Sequence, residues 1–453
     1  MTRDLTQGSI PKGMLLFALP LICGNLLQQV YNLTDTWIVG RFLGEGALGA
    51  VGSSYTLLTF LTSILLGLCM GSSAYFSIQF GRGDLARLRQ GIFQAFLLIG
   101  GLTLALNLGA YGCLEGFLRL LRIPAEIAAL TREYLLWIFG GIAATFLYNF
   151  FANLLREVGD SVPPLAFLGV SVTLNIGLDL LFVVPLGMGV KGAALATVIA
   201  QYVSGLGLAA WAWGKYPQLR VKREDMVWDR RSLGNVCSLS FFTSLQQSVM
   251  NFGILLVQGL VNSFGTAVMA AFAVAVKIDT LAYMPVQDFG NAFATFVAQN
   301  YGAGKKDRIR AGTRAAALWV VAFCLVIGGV VCLAAPGLLA FFVGAEAAQV
   351  IAIGTGYLRI EGAFYLGIGI LFLLYGYFRA VNRPAVSLVL TFCSLGTRVV
   401  LAYALSALPA LGVTGIWMAI PIGWFLADMV GIALGSLRGR TKGDRGCPRF
   451  LSK

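Results

Sequence analysis

Long apolar runs recur along the whole chain of 453 residues and limit it to one class of fold. The hydrocarbon core of a bilayer needs about 20 apolar residues per helix, and twelve runs of that kind follow one another between short polar segments. They are 13–38, 47–79, 92–114, 132–156, 162–186, 190–213, 233–262, 267–300, 313–340, 351–380, 385–408 and 412–436. Only 12% of the residues are charged and the mean hydropathy is +0.81, which excludes a stack of soluble domains. The sequence predicts an all-α integral membrane protein with twelve transmembrane helices.

The basic residues follow the positive-inside rule when the N-terminus is placed in the cytoplasm. Most of the 33 Lys and Arg residues then face the cytoplasm, which predicts cytoplasmic N- and C-termini in the cell inner (plasma) membrane. The net charge of +13 is distributed by topology rather than gathered on one surface, which argues against a nucleic-acid partner. We expect the partners to be the lipid bilayer and a small-molecule substrate, with a monomeric protein.

The chain contains no histidine, and its eight cysteines are scattered without a Cys-x-x-Cys pair. This pattern argues against zinc, haem and disulfide frameworks, and it excludes catalysis by histidine. We therefore expect no resident cofactor.

The most basic internal stretch, residues 215–231, divides the chain into halves that match each other. Gln79–Gly91 recurs as Asn300–Gly312 at a constant shift of 221. We predict an N-lobe (1–214, TM1–6), a cytoplasmic linker (215–231), a C-lobe (232–437, TM7–12) and a basic cytoplasmic tail (438–453). With six spans each, the lobes are parallel repeats around a central cleft, an arrangement typical of transporters that rock two bundles about one site.

One face of the first span is polar, because Gln28, Asn32 and Asp35 lie at i, i+4 and i+7. An ionisable group in a transmembrane segment costs about 3 kcal/mol on insertion scales, so Asp35 is a candidate functional residue. The alternative is a carboxylate that only packs helices together.

Two further pairs of polar residues lie four apart on predicted spans. Asn175 and Asp179 share a face of the fifth span, and Thr197 and Gln201 share a face of the sixth. Carboxylate, amide and hydroxyl oxygens are suitable ligands for Na⁺, and two neighbouring carboxylates would equally hold a proton. The residues leave both coupling ions open.

Several segments spread over nearly the whole chain carry a resemblance to one family. They are Ile10–Gly13, Gln28–Asp35, Arg156–Asp160, Asn175–Asp179, Gly192–Thr197 and Gln299–Gly304. They resemble the multidrug and toxic compound extrusion (MATE) family. The resemblance implies that Asp35, Asn175, Asp179 and Thr197 form the cation site of the N-lobe. It also implies a secondary active multidrug efflux antiporter, which exports organic, often cationic, compounds in exchange for Na⁺ or H⁺ by rocking of two lobes.

The C-lobe departs from this pattern. Leu256 stands at the position of Asp35, and Arg398 and Ala402 stand at those of Asn175 and Asp179, so we expect one coupling site only. Lys277, Glu361 and Arg398 are predicted to form a structural charge cluster, with substrate contact as the alternative. The predicted substrate or cleft residues are Gln28, Tyr31, Asn32, Gln201, Gln247, Asn251, Met284 and Asp288.

The sequence leaves two other functions to consider. A flippase for lipid-linked precursors shares the lobed design, but the N-lobe cavity is acidic and anionic carriers call for a basic one. An intramembrane enzyme that uses Asp35 and Asp179 lacks a Gly-x-Gly-Asp or Gly-x-Ser-x-Gly signature, and it leaves the repeat unexplained. We therefore predict that the protein is not an enzyme.

Overall fold

The computed structural model describes residues 4–120 and 123–437, and this part of the chain is helical without any β-strand. The α-helices are α1 (Ile10–Arg82), α2 (Leu85–Gly112), α3 (Leu114–Leu120), α4 (Ala125–Ile138), α5 (Ile142–Glu157), α6 (Val162–Val183), α7 (Gly189–Lys215), α8 (Arg230–Asn262), α9 (Thr266–Gly302), α10 (Lys306–Val343), α11 (Ala348–Ala363), α12 (Tyr365–Ala380), α13 (Pro384–Ser406) and α14 (Val413–Leu437). Three short 3₁₀ helices occupy Phe139–Gly141, Pro217–Leu219 and Arg223–Asp225. The predicted basic tail, 438–453, lies outside the described residues.

The helices account for the predicted spans. Within the described ranges, nine are long and apolar enough to cross a membrane, or ten if α11 and α12, bent by 53°, form one span. The 73 residues of α1 would extend about 110 Å as one straight helix, so α1 contains two spans. They are separated at Gly44, where φ is 82° and ψ is −175°. The remaining span is α8, whose hydropathy is lowered by amides such as Gln246 and Gln247. The predicted all-α fold with twelve spans is confirmed.

The fourth span is broken between α4 and α5. The 3₁₀ turn Phe139–Gly141 frees carbonyl groups that a continuous helix would bond, and hydrocarbon offers no water to replace those bonds. Side chains of α2 and α7 supply the donors: Tyr111 Oη to Leu136 O (3.0 Å), Asn107 Nδ2 to Phe139 O (2.7 Å) and Tyr202 Oη to Gly140 O (3.0 Å). The break is therefore held by neighbouring helices.

The chain forms two compact units. Unit 1 contains Leu19–Ser244, and unit 2 contains Leu5–Ala18 together with residues 245–437. These bounds differ from the predicted lobes at two places, because the linker and the start of α8 belong to unit 1 and Leu5–Ala18 belongs to unit 2. The contacts of both segments explain the difference.

The linker is fixed to α2 within unit 1. Arg89 Nε donates to Asp225 Oδ2 at 2.6 Å, and Gln94 Nε2 donates to the Val227 carbonyl at 3.0 Å. Burial alone would raise the pKa of the Asp225 carboxyl, but hydrogen bonds from Arg89 and from the Lys222 backbone lower this pKa below its ordinary value. A buried charge with such partners is stable only where they are in place, so the linker is a docked segment.

The N-terminal segment is fixed to unit 2 by the matching repeat. The Leu5 backbone N–H donates to Gln299 Oε1 at 3.0 Å, and Asn300 Nδ2 donates to the Leu5 carbonyl at 3.2 Å. Lys305 Nζ and the Arg308 guanidinium donate to further carbonyl groups between residues 5 and 8. Each copy of the repeated motif thus binds the segment that precedes the first helix of the other half.

Helix packing also repeats at the shift of 221. A Cβ atom built on Gly91 would lie 2.4 Å from Cε1 of Tyr75, and one built on Gly312 would lie 2.1 Å from Cε1 of Phe296. In both units an aromatic ring of the preceding helix fills the space that the glycine leaves open.

Two apolar clusters pack the described part of unit 1. One surrounds Phe76 and Phe150 near the start of α2, and the other surrounds Leu65 and Phe139 near its end. In unit 2, the Phe272 ring stacks on Trp417 with centroids 5.4 Å apart.

Candidate cation site

Unit 1 brings the four predicted cation-site residues together. Asp179 is fully buried and Asn175 is 1% exposed, whereas Asp35 is half-buried and places its carboxyl group beside that of Asp179. Asn175 Nδ2 donates to Thr197 Oγ1 at 3.3 Å. Three helices, α1, α6 and α7, therefore contribute to one small polar cluster.

Local helix geometry explains this convergence. Asn175 and Asp179 are one turn apart on α6, so they present their side chains on the same face. One turn before them, Ser171 Oγ donates to the Ala200 carbonyl at 3.1 Å and ties α6 to α7. This register places Asn175 opposite Thr197.

The polar face of α1 contributes unequally to the cluster. The Tyr31 hydroxyl lies 3.3 Å from Thr197 Oγ1, so this predicted substrate residue contacts the cation-site residues. Gln28 Nε2 donates instead to Asn32 Oδ1 at 3.4 Å. Of the face predicted from the i, i+4, i+7 spacing, Asp35 lies at the cluster, and Tyr31, which is not part of that spacing, joins it there.

The cluster has more acceptors than donors. In the described part of the chain, Asn175 Oδ1 and both carboxylate oxygens of Asp179 are buried without a hydrogen-bond donor. A buried acceptor without a donor destabilises a fold by about 1–3 kcal/mol. Oxygen atoms of this kind suit a small monovalent cation or a proton shared between carboxyl groups, so the residues present fit either coupling ion.

Sequence reasoning missed Tyr134. This α4 residue is 6% exposed and interacts electrostatically with Asp35, Tyr31 and Asp179. It belongs to no motif, and nothing in the sequence separates it from the other fourteen of the 15 tyrosines. Only the packing of α4 against the other helices reveals it.

The other predicted substrate residues lie elsewhere. Gln201 Oε1 accepts a hydrogen bond from Thr145 Oγ1 at 3.3 Å and faces α5. On α8 and α9, Gln247 and Asn251 are half-buried, and Met284 and Asp288 are 5% and 3% exposed. Their contact with a substrate stays a prediction.

The predicted C-lobe charge cluster is wrong in one member, Lys277. Glu361 is fully buried and lies near Arg398 and Asp279, whereas Lys277 is exposed. Residues 277 and 279 are two apart on α9 and so point about 200° apart, with Asp279 inward and Lys277 outward. Among the described residues, Glu361 forms no ion pair with either base.

Tyrosines complete this second cluster. Tyr357 Oη donates to Asp279 Oδ2 at 3.3 Å, and Tyr365 lies beside the same carboxyl group. Both carboxylate oxygens of Glu361 are buried without a hydrogen-bond donor in the described ranges. The cluster therefore holds two acids and one base, where the sequence predicted two bases and one acid.

The fold and the buried polar cluster define a multi-pass membrane transporter. The MatE family model matches residues 20–181 and 240–404, and the chain belongs to the MATE family. The predictions of a transporter family and of a protein that is not an enzyme are confirmed.

Named relatives agree with this assignment. The probable multidrug resistance protein YpnP of Bacillus subtilis (strain 168) is 31% identical over 428 residues, which cover 94% of each chain. The probable multidrug resistance protein YoeA of the same organism is 28% identical over 437 residues, covering 93% of this chain and 92% of YoeA. The outward-facing structure of a multidrug resistance MATE family transporter of the MOP superfamily gives a TM-score of 0.89 at 24% identity, covering 96% of this chain and 97% of that one.

Proposed function

We propose that this protein is a secondary active multidrug efflux transporter that exports organic, often cationic, compounds in antiport with Na⁺ or H⁺. The names of the relatives support multidrug export. The observation that carries the coupling is the contact between the Asp35 and Asp179 carboxyl groups beside unpaired oxygens of Asn175 and Asp179.

Two adjacent carboxylates require a positive charge. Two like charges about 4 Å apart repel by roughly 4 kcal/mol at an effective dielectric constant of 20. One Na⁺ ion or one proton removes this repulsion, and either satisfies oxygens that otherwise lack a donor. The site therefore binds one positive charge tightly in the conformation in which α1 and α6 bring the carboxyl groups together.

The neutral residues set the geometry of the site. Because the Asn175 amide nitrogen donates to Thr197, its carbonyl oxygen stays free for a cation. The Tyr31 hydroxyl beside Thr197 fixes α1 relative to α7 within unit 1. In a conformation that separates Asp35 from Asp179, the site binds the cation weakly and releases it. The cation therefore stabilises one of the two conformations of the transport cycle, and this difference in affinity couples ion movement to transport.

The flippase alternative is not favoured. An anionic lipid carrier would be repelled by an acidic site, and the named relatives are multidrug resistance proteins.

Transport into proteoliposomes tests the proposal. Purified protein is reconstituted, and ethidium uptake is followed under a Na⁺ gradient and under a pH gradient, each imposed alone. We expect one gradient to drive uptake by the wild type and neither to drive it in Asp35→Asn or Asp179→Asn, because the amide keeps the shape but not the charge. Glu346→Gln, an exposed acid of unit 2, is the matched control and should transport normally.

The variants must also unfold at the wild-type temperature, which separates lost coupling from lost folding. Gradient-driven uptake by folded Asp35→Asn at the wild-type rate would contradict the site. Failure of the wild type to move ethidium and other organic cations under both gradients would contradict the function.

A further inference from the structure

A lateral groove in unit 1 is separate from the cation site. It has a volume of about 550 Å³ and lies where α2, α4 and α7 meet. Its lining residues are Tyr111, Leu136, Trp137, Gly140, Leu195, Val198 and Tyr202. Tyr111 and Trp137 are 38% and 39% exposed, so the groove is open at the surface of the helices.

Two regular helix faces build this lateral groove. On α7, Lys191, Leu195, Val198 and Tyr202 follow one another at i, i+4, i+7 and i+11. Eleven residues of helix rise about 16 Å, roughly half of the 30 Å hydrocarbon core. Because Lys191 lies in the first turn of α7, the groove extends from one membrane surface through one leaflet.

The groove wall is apolar although two tyrosines line it. Their hydroxyl groups donate to the Leu136 and Gly140 carbonyls, which fixes both rings and leaves no free polar group on them. The missing side chain of Gly140 adds space, since the nearest atom to a Cβ built there is Tyr111 Oη at 3.8 Å. An acyl chain therefore fits without burying an unsatisfied polar group.

Opposite charges lie at the surface end of the groove. Lys191 Nζ lies 4.7 Å from the centroid of the Trp137 ring. Glu133 is exposed one turn before Trp137 on the same face of α4. Within the described residues neither charge forms an ion pair.

We propose that the lateral groove binds one phosphatidylethanolamine molecule from the leaflet in which α7 begins. An acyl chain lies along Trp137, Leu195 and Tyr202, the phosphate contacts the Lys191 ammonium, and the primary amine contacts the Glu133 carboxylate. Phosphatidylglycerol has no cation for Glu133, and the quaternary ammonium of phosphatidylcholine cannot donate a hydrogen bond. The pair of unpaired charges therefore selects the headgroup.

Quenching of Trp137 fluorescence by brominated lipids tests the proposal. The full chain is reconstituted in phosphatidylcholine vesicles that contain increasing fractions of brominated phosphatidylethanolamine, phosphatidylglycerol or phosphatidylcholine. The chain contains 8 tryptophans, so the signal of Trp137 is the difference between the wild type and Trp137→Phe. We expect brominated phosphatidylethanolamine to occupy the groove about fivefold more tightly than phosphatidylcholine, the effect of one additional charge contact.

Two charge variants separate the headgroup contacts. Glu133→Gln should abolish the fivefold preference for phosphatidylethanolamine without weakening the binding of phosphatidylcholine. Lys191→Gln should weaken the binding of all three phospholipids. Glu346→Gln and Lys277→Gln remove exposed charges of unit 2 and should leave the preference unchanged. Gly140→Leu should reduce quenching by every lipid, because its side chain fills the groove.

Equal quenching by all three lipids, a preference for phosphatidylglycerol, or a preference that survives Glu133→Gln would overturn the proposal. If Gly140→Leu leaves the quenching unchanged, Trp137 contacts only bulk bilayer lipid and no lipid bound in the groove. That result would also overturn the proposal. Each variant is first checked for unfolding at the wild-type temperature.

Discussion

A close contact between α1 and α8 in unit 1 gives a sharp stability prediction. Gly67 and Gly71 of α1 face Ser240 and Ser244 of α8, so small residues repeat every four positions on both helices. A Cβ atom built on Gly71 would lie 2.3 Å from the Leu239 carbonyl oxygen and 2.5 Å from the Ser240 Cα atom. These are backbone atoms, which cannot rotate away. Gly71→Ala must therefore separate the helices by about 1 Å.

The magnitude follows from three terms. Overpacking of a close contact costs about 1–3 kcal/mol. The hydrogen bond from Ser240 Oγ to the Leu68 carbonyl, 3.1 Å long, is strained, which costs about 1 kcal/mol more. Alanine returns about 1 kcal/mol through its higher helix propensity. We expect a net loss of about 2 kcal/mol, or a fall of roughly 4–8 °C in the unfolding temperature of a unit of this size.

Thermal unfolding of the detergent-solubilised protein, followed by tryptophan fluorescence, measures this loss. Gly101→Ala is the matched control, because a Cβ built at that α2 position meets no atom within 4 Å. The control should be neutral or slightly stabilising. If Gly71→Ala unfolds at the same temperature as Gly101→Ala, the helices do not pack as described.

Three further predictions concern the polar contacts. Arg89→Gln leaves the buried Asp225 carboxylate without its guanidinium partner and should lower stability by about 3 kcal/mol. Because the folded-state pKa of Asp225 is lowered, this loss should be complete above the ordinary pKa of 3.8 and shrink as the pH of the unfolding buffer falls below it. Arg398→Gln should destabilise by about 2 kcal/mol in thermal unfolding, while Glu361→Gln should be neutral or stabilising, because it removes one of two like charges; equal losses would contradict this reading of the cluster. Tyr134→Phe should weaken binding of the coupling cation about fivefold in transport titrations without changing the unfolding temperature, because it removes a hydroxyl group that interacts electrostatically with the Asp35 and Asp179 carboxyl groups.

Sequence periodicity was sufficient to predict the helices and to predict which residues of α6 share the face at the cation site. Apolar runs of membrane-spanning length predicted the spans, and the four-residue spacing of Asn175 and Asp179 placed both on one side of α6. Spacing within a helix cannot show which side chains of other helices lie opposite. The structure decided that Tyr31 and Tyr134 join the cluster and that Gln201 instead bonds to α5.

The C-lobe cluster shows the same limit, because here a residue that the sequence placed in the cluster lies outside it. The sequence shows that Lys277, Glu361 and Arg398 lie within predicted spans, but position along a span says nothing about rotation around a helix axis. Lys277 points outward, and Asp279, two residues further along α9, points inward. The cluster therefore contains Asp279 in place of Lys277, and its formal net charge is negative instead of positive.

By itself the sequence determined the membrane environment, the number of spans, the internal repeat and the family, because each depends on local hydrophobicity or on matching residues along the chain. Tertiary structure alone decided which segments dock on which unit. Asp225 in the linker and Leu5 near the N-terminus carry no signal of their partners in the sequence. Their docking depends on Arg89 and Gln299, which are far away along the chain and become neighbours only after the helices have packed.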